Sequence, residues 1–143
     1  MQVSNQKLAY HATRIAIGVS ILFHGAVRLP KLQFFADSHL AMFSSTFIAG
    51  TPTLIMCYII PFLEASTGIL ILLGGKLTRL GLTLGIVTMG ILMFGASLAE
   101  KFDLLISMIL HVILFYLLLI NRNTYDPTAA AGNTRQSGES IPA

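Results

Sequence analysis

Charge is scarce in this chain. Of its 143 residues only 10% are Asp, Glu, Lys or Arg, and 55% are hydrophobic. A soluble domain carries about a quarter charged residues, so the shortage excludes an ordinary water-soluble globule and points to an integral membrane protein. Cysteine is nearly absent as well. The single Cys57 rules out an intrachain disulfide and a dithiol relay, and its simplest role is that of a small buried apolar residue. The nine Lys and Arg residues form no dense run, so the net charge of +3 reads as loop charge that orients a membrane protein, not as a nucleic-acid footprint. A secretory cleavage pattern is missing too: residues 1–7 are polar and no small-residue site follows the first apolar segment. That segment is expected to stay as a helix.

What the chain does have is four long apolar runs. The fold expected is all-α, a bundle of four transmembrane helices over residues 8–29, 53–73, 80–98 and 104–121, forming one domain of residues 1–122. Pro30 stops the first run and Gly74 with Gly75 closes the second. Between them Leu32, Phe35, His39, Met42, Phe43 and Phe47 recur at helical spacing, which predicts a short amphipathic segment at the membrane interface. Residues 123–143 are rich in small and polar types and are expected to form a disordered cytoplasmic tail whose start packs on the bundle. Lys7, Lys76, Arg79, Arg122 and Arg135 outweigh Arg28, Lys31 and Lys101 on the other side, so both termini are expected to be cytoplasmic. The third run shows Gly81, Gly85, Thr88, Gly95, Ala96 and Ala99 on one face. Such a face allows close helix approach, either inside the bundle or in a homo-oligomer through Gly81 and Gly85.

The ionisable residues inside these runs frame the functional question. Arg14, His24 and Arg28 fall within about 80° of one another around a helix, and charges in lipid are costly unless they meet a partner or water. Glu64 is the only carboxylate well inside a span, and His111 interrupts the fourth. At about 1.5 Å per residue, His24 and His111 lie about 10 Å from the outer ends of their helices and Arg28 lies at the outer boundary. On the same scale Glu64 sits near the midplane, with a vertical gap of about 7 Å either up to His24 and Arg28 or down to Arg14. Pro61 beside it frees a carbonyl. Plainer fates exist for each: the arginines snorkel to the interfaces, the histidines bond to neighbouring carbonyls or across helices, and Glu64 forms a structural ion pair.

Arg14-Ile-Ala-Ile-Gly18 followed by His24-Gly25, Arg28, Phe34-Phe35 and Gly50-Thr-Pro52 resembles the opening of the DoxX family of bacterial inner-membrane proteins. Pro61-Phe-Leu-Glu64 with Gly68, then Leu72 through Arg79, resembles that family's second helix and turn. The resemblance implies a four-helix inner-membrane protein, with relatives linked to quinone-coupled oxidation. Quinone is then the expected cofactor, and no flavin, nicotinamide or haem motif is seen, so electrons would come from a redox partner protein. Glu64, His24 and His111 are candidates for donating and accepting protons, and Arg28, Arg14 and Phe62 for holding the head group, with Phe23 and Phe115 beside the ring. The competing reading is a non-enzymatic membrane scaffold or a lipophilic-ligand binder. Haem ligation by His24 and His111 rests on similar depth alone, and one buried carboxylate is too few for a di-iron site.

Overall fold

The computed structural model describes residues 5–121 and Thr124, and the regular elements among them are helical. They are α1 (Asn5–Ala26), a short 3-10 turn (Leu29–Lys31), α2 (Leu32–Met42), α3 (Thr51–Leu73), α4 (Gly75–Leu98) and α5 (Phe102–Leu119). Four helical runs are long and apolar enough to cross a membrane, the first counted from Asn5 through α2. The expected all-α bundle of four membrane-spanning helices is therefore the observed one. Thr124 is buried; its hydroxyl donates to the Leu118 carbonyl and accepts from the Tyr10 hydroxyl. The rest of the expected disordered tail lies outside the described residues.

Three boundaries differ instructively from expectation. α4 starts at Gly75 instead of residue 80, because Gly74 at φ +89° and Gly75 at φ +59° make the reversal between them. Lys76, Leu77 and Arg79 are good helix formers and enter the first turns of the new helix. α1 begins at Asn5 and ends at Ala26, three residues earlier at each end than expected.

Close packing sets how the helices align. A Cβ on Gly25 would lie 2.4 Å from both the Pro61 carbonyl oxygen and the Ala65 nitrogen, and one on Gly68 would lie 2.4 Å from the Leu22 nitrogen. The backbones of α1 and α3 thus touch, the arrangement that stabilises helix pairs in lipid. Because Gly25 meets Pro61, near the middle of α3, α1 stops at mid-height of the bundle. α2 crosses from α3, where Tyr58 donates to Gln33 at 3.1 Å, towards α4, where Phe43 packs at Gly95.

On α4, a Cβ at Gly81 would meet the Leu70 side chain at 2.8 Å and one at Gly85 the Phe115 ring at 2.7 Å. The small-residue face is spent inside the bundle, which corrects the alternative of a homo-oligomer through Gly81 and Gly85. Ile17, Ile21, Ile71, Leu82, Met89 and Phe115 form the interior. Outward positions stay apolar, as in Phe94, Ile106 and Leu110, which suits a lipid-facing surface.

Candidate functional site

Glu64 is the buried charge from which the site is built. Its side chain is 2% exposed, and its Oε2 accepts a hydrogen bond from Arg28 Nη1 at 2.5 Å. Arg28 lies just past the end of α1, so the Gly25–Pro61 contact sets it beside the middle of α3 and not at the outer boundary. The vertical gap expected from helix lengths closes. Side chains on helices lean towards their own N-termini, and on antiparallel helices that brings the two groups together. The guanidinium also stacks 5.0 Å from the Phe35 ring centroid of α2. Neutralisation by a partner is what lets a carboxylate sit in an apolar bundle. Glu64 is paired with Arg28, and the alternative pairing with Arg14 is not formed.

Arg14 lies about 21 Å from Arg28 along the chain's helical rise and belongs to the opposite end. Its Nη1 donates to Thr78 Oγ1 at 3.4 Å, and that hydroxyl donates to the Ile71 carbonyl at 3.2 Å. A Cβ on Gly74 would fall 2.8 Å from Arg14 Nη1. The guanidinium thus closes the C-terminal end of α3, where a cation is favourable. Neither simple snorkelling nor a place beside Glu64 describes it.

His24 and His111 meet each other, with ring centroids 6.1 Å apart and planes at 70°. Each spends Nδ1 on a carbonyl four residues back on its own helix, Ser20 at 3.1 Å and Ser107 at 2.7 Å. The expected cluster of Glu64, His24 and His111 is therefore divided: the carboxylate bonds Arg28, and the imidazoles form a separate pair between α1 and α5. Phe62 and Phe23 point outward, 54% and 59% exposed, so neither flanks Glu64. Phe115 is fully buried and sits beside His111 at 6.2 Å.

Sequence reasoning missed one feature. A cavity of about 650 Å³ lies between α2, the first half of α3, the second half of α4 and the start of α5. Its walls include Phe35, His39, Cys57, Ile60, Leu92 and Met108. The signal was visible in the Phe35, His39, Met42 and Phe43 stripe, which the amphipathic reading assigned to the membrane interface. Those side chains line the cavity. Phe35 joins the two regions, because its ring borders the cavity and also carries Arg28. Ile60 in the cavity wall is one helical turn from Glu64. Among the described residues no three His, Cys, Asp or Glu side chains gather as a metal centre. No family model, no curated protein and no solved structure matches the chain.

Proposed function

We propose that this chain is a DoxX-like protein of the bacterial inner membrane, with both termini cytoplasmic, that binds an isoprenoid quinone or quinol as a subunit of a redox assembly. The observation that carries the reading is the apolar cavity set against a buried ion pair. Its volume of about 650 Å³ falls within the range of small-molecule sites, about 300–1,000 Å³. A planar head group against Phe35 and His39 would have the Arg28 guanidinium one ring away, where positive charge favours a reduced, anionic form. Glu64, one turn beyond Ile60, supplies a group able to take or release a proton. The tail would follow the apolar walls towards lipid, and electrons would come from a partner protein.

A second reading is favoured by one detail. The Thr53 hydroxyl and His39 Nδ1, two of the few polar atoms near the cavity, are already spent on the Ile48 and Phe35 carbonyls. Such a wall suits an acyl or isoprenoid chain held without chemistry, in a lipophilic-ligand binder or a scaffold.

Titration of the purified protein in nanodiscs with short-chain ubiquinone and menaquinone analogues tests both. Saturable binding is expected, weakened by Ile60→Trp, which fills the cavity, and by Arg28→Gln and Glu64→Gln. Loss in Ile60→Trp with full binding in both ion-pair variants favours the second reading. Absence of saturable binding, or binding indifferent to Ile60→Trp, ends the quinone proposal.

A further inference from the structure

We propose that His24 and His111 form a two-nitrogen site for a soft monovalent metal ion, of the Cu(I) or Ag(I) class, clamped between α1 and α5. It uses different residues from the cavity and does not depend on the quinone reading.

The tautomers come first. A carbonyl oxygen only accepts, so the contacts from His24 to Ser20 and from His111 to Ser107 put the proton of each neutral ring on Nδ1. Both Nε2 atoms are then left with bare lone pairs. An imidazole whose other nitrogen donates to a carbonyl is the arrangement that orients histidine ligands at metal sites. The sequence repeats the device on both helices: Ser20-Ile-Leu-Phe-His24 and Ser107-Met-Ile-Leu-His111 place a serine four residues before the histidine.

The spacing comes second. A linear nitrogen–metal–nitrogen bridge with bonds of about 2.0 Å needs ring centroids about 6 Å apart, and the observed separation is 6.1 Å. At 70° the two rings make an edge-to-face contact, and the bridge forms when the side chains turn their Nε2 atoms towards each other.

Charge decides the class of ion. Glu64, the carboxylate at this height, is held by Arg28, so the two imidazoles give a neutral donor set in apolar surroundings. An ion there keeps its own charge, and a single positive charge costs least in lipid. Two nitrogens also fall short of the four ligands usual for Zn(II), whereas imidazole suits copper.

The experiment is an anaerobic titration of the full-length protein in nanodiscs with Cu(I), competed by a chromophoric Cu(I) chelator. Cys57→Ser serves as background, removing the one thiol that would compete. One ion per chain is expected, lost in His24→Phe and in His111→Phe and kept in His11→Ala. Binding kept in either ligand variant overturns the site. Zn(II) held as tightly through the same two histidines overturns the monovalent assignment, and a Soret band on haemin addition that needs both overturns it in favour of haem. Should a ligand variant misfold, Ag(I)-induced shifts of the His24 and His111 Nε2 resonances in labelled wild-type protein decide, and unmoved resonances refute the proposal.

Discussion

Arg28→Gln should destabilise the protein more than Glu64→Gln, although both remove the same ion pair. The two halves are unequally covered: the Glu64 side chain is 2% exposed and that of Arg28 30%. Taking away the guanidinium strands a carboxylate in the bundle, and breaking a buried pair in this way costs about 3–5 kcal/mol. Taking away the carboxylate leaves a cation that still reaches the outside and still stacks on Phe35. The loss is then that of one charge-assisted hydrogen bond, about 1.5–3 kcal/mol, at the lower end because a group this exposed is partly screened. The expected gap is about 2 kcal/mol between the two variants. The double variant should fall near Glu64→Gln and well short of the sum, since it strands no charge. Reversible unfolding in mixed micelles, followed by helical circular dichroism, measures all three. Equal and additive costs would refute the asymmetry argued from exposure. An Arg28→Gln cost below about 1 kcal/mol would mean that Glu64 is held neutral and needs no counter-charge.

Five further substitutions test the packing and its hydrogen bonds. Gly25→Ala and Gly68→Ala force a methyl into backbone atoms 2.4 Å away and should each cost about 1–3 kcal/mol or more, read as a lower melting temperature in detergent. Gly90→Ala, with nothing within 4 Å, should gain up to about 1 kcal/mol from helix propensity in the same assay. Thr78→Val removes the hydroxyl joining Arg14 to the Ile71 carbonyl and should cost about 1–3 kcal/mol by chemical unfolding. Thr88→Val deletes a buried hydroxyl without a partner among the described residues and should be neutral or stabilising; a clear loss in thermal stability would reveal a bound water there.

The four spans were legible because about twenty apolar residues with terminal glycines or prolines leave a bilayer few alternatives. The need of Glu64 for a cationic partner was legible for the same reason. Which cation it takes was not. Depths counted from each helix's own ends assume that all four start at common planes, and Gly25 against Pro61 shifts α1 away from that assumption. The histidines misled in a related way. Depth placed His24, His111 and Glu64 together, but the direction of each side chain around its helix divides them, and periodicity on one helix says nothing about the azimuth of its neighbour. Glycine spacing on α4 was read correctly as a contact face. Gly25 and Gly68, which set the register, stood among other small residues and gave no separate signal.

The early end of α1 accounts for both features of the candidate site. Had α1 continued straight past Ala26, it would have covered the first half of α3 as far as Thr51. Instead Arg28 arrives beside the middle of α3, where the buried carboxylate of Glu64 needs a counter-charge and takes it. The uncovered half of α3 is left to α2, an 11-residue helix crossing towards α4. α2 borders this space without filling it, and the cavity of about 650 Å³ lies between α2, α3, α4 and α5. The ion pair and the cavity are thus two consequences of one register, held by Gly25 at Pro61 and Gly68 at Leu22. Gly25→Ala should therefore disturb more than stability. By pushing α1 away from α3 it should also weaken ligand capture in the cavity, although Gly25 lines none of it. Unaltered quinone-analogue affinity in a folded Gly25→Ala protein would break that link and leave the cavity owing nothing to the α1–α3 contact.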